Sequence, residues 1–145
     1  KYAEEVAKRR KCKLVRFCTR YDQLLKRGHG YLAPNVEDFL SLIKYANLLI
    51  TDSFHATVFS LIFHRPFYTL TRQSADGIKS MNSRVVDLLN TYGLSDRLID
   101  AQEQVFDGNI NDIDFSTFDN MINEQRKKSI TFIKDSLLNH KGGNN

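Results

Sequence analysis

The stretch from Asn47 to Pro66, NLLITDSFHATVFSLIFHRP, constrains the fold of this chain more than any other. It begins with the apolar run NLLIT, which is typical of a strand buried on both faces. Asp52 and Ser53 follow, and both residue types are favoured at the N-cap of a helix. The apolar run FHATVFSLIF then predicts a buried helix, which Pro66 ends. The stretch therefore predicts a strand, a tight turn and a buried helix.

In a parallel α/β sheet such a turn lies at the carboxyl edge, where ligands bind. We expect the N–H groups of Phe54, His55 and Ala56 to point at a bound anion, with Ser53 and Thr57 beside them. The positive helix end disfavours an imidazolium, whereas a bound phosphate of about −2 charge favours it. His55 is therefore a candidate phosphate ligand or general acid. A core histidine that caps the turn is the alternative.

Elsewhere, strand-like and helix-like segments alternate along the chain. We predict a helix over 2–10, a buried strand over 14–18, a further strand over 66–70 and a polar connector over 19–33. Helices are predicted over 36–43, with Asn35 as N-cap, and over 84–92, ended by Gly93. A long final helix is predicted to begin with a capping box formed by Ser116 and Asp119. The loop 71–83 is interpreted either as a lid over the site or as surface disorder.

This alternation predicts an α/β fold, a Rossmann-like three-layer α/β/α arrangement with a parallel sheet and strand 47–51 at its centre. Residues 1–140 are expected to form a single domain, and 141–145 a disordered tail.

The composition and motifs exclude several kinds of site. The chain has a net charge of +4. The basic run KRRKCK (8–13) has no interleaved aromatic residues, which favours a solvated helix end over a nucleic-acid surface. The sequence has no GxGxxG motif, no Walker loop and no Cys/His spacing of a zinc site. We therefore expect no cofactor, no metal and no nucleic-acid partner.

The run from Ala46 to Phe67, with SFHATVFSLIF at its centre, resembles the polysaccharide pyruvyl transferase family. In that family a Thr-Asp-Ser-Phe-His-type turn follows a strand in the second of two Rossmann-like domains. The resemblance extends upstream to Pro34 and downstream through SRVVDLLNTYGLSDRLI (83–99). It implies one half of a glycosyltransferase-B-type fold, with the first domain of the protein absent from this chain. A fragment of this kind is expected to be inactive alone.

The resemblance also implies an activity. Family members transfer the enolpyruvyl group of phosphoenolpyruvate to a sugar of a surface polysaccharide, leaving a pyruvate ketal and phosphate. The implied acceptor is a glycan or lipid-linked sugar in exopolysaccharide synthesis, and the implied location is the cytoplasm, with association at the inner face of the membrane left open. His55 matches the histidine of the motif. An arginine is expected for the donor carboxylate, with Arg84 as the first candidate and Arg72 as the second. Arg65 and Arg97 are expected to cap helices or face water.

Two other functions remain open at this point. The chain could be a non-catalytic phosphate- or nucleotide-binding module of Rossmann-like fold, which explains the helix N-terminus but not a histidine and an arginine together. It could also be a nucleotide-sugar glycosyltransferase domain. Turnover of phosphoenolpyruvate as against a nucleotide sugar would separate these functions.

Overall fold

Parallel strands alternate with helices in the computed structural model, which describes residues 2–71, 79–100 and 113–139. The helices are α1 (Tyr2–Arg9), α2 (Val36–Lys44), α3 (Phe54–Ile62), α4 (Lys79–Thr91) and α5 (Ser116–Asn139). The strands are β1 (Val15–Cys18), β2 (His29–Leu32), β3 (Leu49–Thr51), β4 (Phe67–Leu70) and β5 (Leu98–Ile99). Short 3-10 helices cover Tyr21–Leu25 and Ser95–Arg97. The chain divides into two compact units, Lys1–Ile113 and Asp114–Asn145.

The described strands of the first unit form two parallel sheets. β1 pairs with β2, and β4 lies between β3 and β5 in the second sheet. The prediction that strand 47–51 lies at the centre of the sheet is therefore wrong within the described residues, because β3 is an edge strand and pairs with β4 alone. The prediction of a polar connector over 19–33 is also wrong, since it contains β2. The sequence of β2, HGYL, did not predict a strand, because Gly30 interrupts the apolar pattern.

The central strand β4 is covered on both faces. Tyr68 is buried in a cluster with Val6 of α1 and Ile99 of β5. Thr69, the next residue, points to the opposite face and its hydroxyl lies 2.9 Å from that of Thr57 in α3. Helices thus lie on both sides of this sheet. This layering, together with parallel strands throughout, is the predicted Rossmann-like α/β/α arrangement, and the predicted fold class is confirmed.

Helix α3 is less buried than its composition predicts. Its buried residues are Ala56, Thr57, Ser60 and Leu61, whereas Ile62 is 49% exposed. A helix with this many apolar residues was expected to be enclosed on all sides, and that expectation is wrong. The strand β1 differs in the same way, because Phe17 is 37% exposed although a buried strand was predicted. Phe39 of α2 contacts both regions, with its ring centre 5.2 Å from Phe17 and 6.2 Å from Phe59.

The helix ends follow local hydrogen-bonding rules. Asn35 is the predicted N-cap of α2, and its side chain accepts a hydrogen bond of 2.7 Å from the Asp38 N–H. Gly93 ends α4 as predicted, in the left-handed region at φ 68°, where glycine has no Cβ penalty. The same position after α3 is held by His64 at φ 51°, and the next N–H, that of Arg65, donates to the Ser60 carbonyl over 2.8 Å.

The second unit, taken by itself, consists in its described part of α5 and the residues just before it. The predicted capping box is wrong, because Ser116 is the first helical residue and the Asp114 side chain accepts from its N–H over 2.9 Å. Hydrogen bonds from Ser116 hold the pKa of the Asp114 carboxyl below its usual range. Among the described residues, no helix has the length and apolarity needed to cross a membrane.

Candidate functional site

The turn between β3 and α3 is fixed by its own side chains. Ser53 is the N-cap of α3, as one of the two predicted caps, and its hydroxyl accepts from the Ala56 N–H over 3.4 Å. The Ser53 N–H donates to the Thr51 hydroxyl over 3.0 Å. These bonds connect the last residue of the strand to the first turn of the helix, so the turn has a defined shape before any ligand binds.

This capping changes which N–H groups are available to an anion. The sequence predicted three such groups, but the Ala56 N–H is already bonded to Ser53. The N–H groups of Phe54 and His55 have no acceptor among the described residues. Because they lie in the first turn of a nine-residue helix, they carry the partial positive charge of its N-terminus. Two donors, rather than three, are therefore open at this end.

Phe54 brings His55 and Arg84 together. The guanidinium carbon of Arg84 lies 4.3 Å from the centre of the Phe54 ring, and the imidazole of His55 meets the same ring edge-on, with 5.9 Å between centres. His55 and Arg84 are both exposed. Exposure of His55 excludes the alternative of a core histidine. The motif and the helix that follows the loop thus each place a polar side chain against the Phe54 ring, and a role of Arg84 at the donor carboxylate stays a prediction.

Electrostatics and geometry suit an anion with two acidic groups. A guanidinium stacked on an aromatic face keeps the N–H groups around its rim available. No described residue accepts a hydrogen bond from Arg84 or from the His55 imidazole. The Phe54 ring is therefore contacted by one guanidinium and one imidazole, and two backbone N–H donors lie in the same turn. A guanidinium binds a carboxylate through two parallel hydrogen bonds.

Thr57 is placed differently from the other predicted contacts. It is fully buried, its N–H donates to the Ser53 carbonyl, and its hydroxyl reaches the same carbonyl over 3.0 Å. Since a hydroxyl has one proton, Thr57 donates to Ser53 and accepts from Thr69, whose hydroxyl lies 2.9 Å away. This chain of bonds connects the turn to the central strand. Direct contact of Thr57 with a substrate stays a prediction.

The other arginines named in the sequence analysis have three different outcomes. Arg72 lies outside the described residues, as does most of the loop predicted over 71–83. Helix α4 begins at Lys79, so this loop is shorter than predicted. Arg65 donates to the Phe63 carbonyl over 3.0 Å, which is the predicted helix-capping role. Arg97 is 3% exposed and its guanidinium lies 5.5 Å from the Tyr68 ring, so the expectation that it faces water is wrong.

Thr71 was not singled out by the sequence. It follows β4 directly, its N–H donates to the Ile99 carbonyl over 3.0 Å, and its buried hydroxyl has no partner among the described residues. Buried hydroxyls normally form hydrogen bonds. The sequence could have indicated Thr71, because a polar residue directly after a buried strand of a parallel sheet lies at the edge where ligands bind.

Comparison with protein families gives one match. The family described as polysaccharide pyruvyl transferase matches residues 2–74, just over half of the chain. Comparisons with curated proteins and with solved structures gave no match. The matched range runs from α1 to four residues past the end of β4 and includes the whole Ser53–Thr57 turn, whereas Arg84 lies beyond it. On the strength of this match, the chain belongs to the polysaccharide pyruvyl transferase family.

Proposed function

We propose that the protein transfers the enolpyruvyl group of phosphoenolpyruvate to two hydroxyls of a sugar, forming a pyruvate ketal. A proton adds to the terminal vinyl carbon, which becomes a methyl group. The two hydroxyl oxygens bond to the adjacent carbon, and the bond from that carbon to the phosphate oxygen breaks. Of the two hydroxyl protons, one balances the proton gained by the methyl group and one leaves with phosphate. The acceptor is a glycan or a lipid-linked sugar.

One observation carries this proposal: Arg84 lies over the Phe54 ring that also contacts His55. Phosphoenolpyruvate carries its carboxylate and its phosphate on the same carbon, so a site for it needs two adjacent anion-binding groups. Arg84 supplies the fork for the carboxylate, and the N-terminus of α3 supplies donors for the phosphate. Phe54 offers an apolar surface beneath the vinyl group. A histidine and an arginine that contact the same aromatic ring distinguish this site from a simple phosphate cradle.

In this proposal His55 acts on the phosphate side of the donor. As an imidazolium it would deliver a proton or stabilise the departing phosphate. The Phe54 and His55 N–H groups would hold the phosphate oxygens as negative charge develops on them. Ser53 shapes the turn by capping it, and Thr57 anchors it to β4 through Thr69. Arg72 remains a second candidate for the carboxylate.

We also propose that a second Rossmann-like domain of the same protein supplies the acceptor contacts. The described residues form one wall of a site, and both His55 and Arg84 are exposed to water. Enolpyruvyl transfer needs a site that excludes water, because water would otherwise compete with the sugar hydroxyl. The chain of residues 1–145 is therefore expected to bind donor weakly and to show no turnover alone.

The experiment that tests this function compares two donors, with the same acceptor, on the complete protein. Phosphoenolpyruvate with an acceptor glycan should release phosphate, whereas a nucleotide sugar with the same acceptor should release no nucleotide. Release of nucleotide would favour the glycosyltransferase alternative. Binding of phosphoenolpyruvate without any phosphate release would favour the non-catalytic binding module. Mass spectrometry of the glycan product completes the test, because the ketal has the mass of the glycan plus pyruvic acid minus one water.

A further inference from the structure

A second concave site lies at the amino ends of β1 and β2, away from the Ser53 turn. It is a cleft of about 300 Å³ between the last turns of α1 and the residues that lead into these two strands. Its chemistry comes from five side chains: Glu4, Lys8, Lys11, Cys12 and Arg27. Three are cationic and one is acidic, so the cleft is positively charged. The sequence had suggested only a solvated helix end here.

Gly28 lines this cleft and allows two backbone segments to approach each other closely. Gly28 has φ 95°, and a Cβ there would lie 2.8 Å from the Leu14 carbonyl oxygen. The next residue, His29, donates its N–H to the same carbonyl over 2.8 Å. Only a residue without a side chain lets the two segments approach this closely. The neighbouring Arg27 is thereby brought next to the end of α1.

Arg16 holds the backbone segment that precedes Gly28 in place. Its guanidinium donates to the carbonyl of Gln23 over 2.8 Å and to that of Lys26 over 2.5 Å. Bonds from a charged donor are the stronger kind, and Lys26 directly precedes Arg27. The backbone that carries Arg27 is therefore held by a dedicated side chain and is not a loose loop.

Lys11 holds an unfavourable backbone conformation at the rim of the cleft. Its φ is 52°, in the left-handed region where glycine is the usual residue after a helix. His64 has the same conformation after α3, so the φ of Lys11 is a helix-end feature, and what Lys11 contributes to the cleft is its cationic side chain. The negative end of α1 does not oppose an anion strongly, because the Lys8 and Ala7 carbonyls accept bonds from the N–H groups of Lys11 and Cys12.

We infer that this cleft binds a phosphate group, carried either by a soluble small molecule or by a lipid headgroup. Three cations from two chain segments converge on a volume that suits a small ligand, and lysine and arginine are the usual phosphate partners. Glu4 would accept a hydrogen bond from a hydroxyl or amine of the same ligand. The inference does not depend on the proposed transfer reaction, since no residue of the Ser53 turn lines this cleft.

Cys12 provides a direct readout of occupancy. The chain has two cysteines, of which Cys12 is exposed and lines the cleft, whereas Cys18 is fully buried. The rate of Cys12 alkylation by iodoacetamide, followed by peptide mass spectrometry, would be measured with and without pyrophosphate at constant ionic strength. We expect saturating pyrophosphate to slow alkylation about tenfold or more, with Cys18 unreactive throughout as the control for folding.

Single substitutions show whether particular side chains bind the ligand or whether the overall positive charge of the region attracts it non-specifically. Lys11→Gln and Arg27→Gln should each raise the pyrophosphate concentration for half-protection about tenfold, the equivalent of one lost charged contact. Glu4→Gln should lower it. Arg10→Gln is the matched control, because Arg10 belongs to the same basic run, is exposed and does not line the cleft, and it should leave protection unchanged.

A second arm distinguishes the two sources of phosphate. Vesicles of phosphatidylcholine with phosphatidic acid replace pyrophosphate, and vesicles of phosphatidylcholine alone are the control. Protection by pyrophosphate supports a soluble ligand, and protection only by the phosphatidic acid vesicles supports a lipid headgroup. Protection by neither probe would overturn the inference. An equal loss of protection in Arg10→Gln and in Lys11→Gln would overturn it as well.

Discussion

The guanidinium of Arg84 lies over the ring of Phe54, with 4.3 Å between the guanidinium carbon and the ring centre. The two residues are thirty positions apart in the sequence, and the contact joins the first turn of α3 to the middle of α4. It brings the guanidinium to the ring that the His55 imidazole also contacts. The relationship is specific enough to give separate predictions for the arginine, for the ring and for the histidine.

Arg84→Lys in the complete protein should raise the KM for phosphoenolpyruvate about tenfold or more, with a smaller effect on kcat. Lysine keeps the charge but cannot form two parallel bonds to a carboxylate. Arg65→Lys is the control, because Arg65 caps α3 through the Phe63 carbonyl and should leave the KM unchanged. Equal KM values for the wild-type protein and Arg84→Lys would remove Arg84 from the donor site.

Phe54→Leu should weaken donor binding less than a change at Arg84. The substitution keeps an apolar residue and removes the aromatic face, which contributes about 0.5–1 kcal/mol to an exposed cation–π contact. We expect the KM to rise about two- to fivefold, measured by steady-state phosphate release. Phe63→Leu serves as the control, because Phe63 lies at the other end of α3 and stacks on Phe59. A KM that rises equally in both variants would indicate a general loss of packing.

The buried Thr57–Thr69 pair should behave as a coupled unit. Thr57→Val leaves the Thr69 hydroxyl buried without its partner, which costs about 1–3 kcal/mol of the free energy of unfolding. The double variant Thr57→Val, Thr69→Val should cost clearly less than the sum of the two single variants, because both hydroxyls are then absent. Urea unfolding of the four proteins measures this coupling. Strict additivity would show that the hydroxyls do not interact in solution.

Gly93 and Ala33 both have a left-handed backbone conformation, and we predict that their substitutions change the stability of the fold in opposite directions. Gly93 has φ 68°, and a Cβ there would meet no atom within 4 Å. Gly93→Ala should therefore cost only the backbone strain, about 1 kcal/mol. Ala33 has φ 45°, and Ala33→Gly should stabilise the fold by up to about 1 kcal/mol for the same reason. Thermal unfolding tests both, and a destabilised Ala33→Gly would contradict the assigned backbone.

The turn and its helix were predictable from the sequence because their causes are local. A serine at the N-cap, an apolar run and a proline at the end specify Ser53, α3 and Pro66 without reference to the rest of the chain. The same is true of Asn35 before α2 and of Gly93 after α4. The His55 position at the helix N-terminus followed directly from this local pattern.

The errors arise where the cause is distant in the sequence. β2 forms because it pairs with β1 over a register that starts at Val15 and His29, and its own sequence is half glycine and histidine. β3 lies at an edge because strand order depends on long-range pairing. Arg97 is buried because Tyr68 lies beneath it, which no local pattern indicates. The contact of Arg84 with the Phe54 ring also needed the structure, and the donor-binding role of Arg84 stays a prediction.

The central claim is that His55 acts on the donor in pyruvyl transfer, and kcat of the complete His55→Ala protein tests it most directly. His55 is exposed, and no described residue hydrogen-bonds its ring, so the melting temperature should stay unchanged. Removing a positioned acid should lower kcat about 10²–10⁴-fold. His29→Ala, which removes an exposed histidine from β2, should keep full activity. A folded His55→Ala protein with wild-type kcat would contradict the claim.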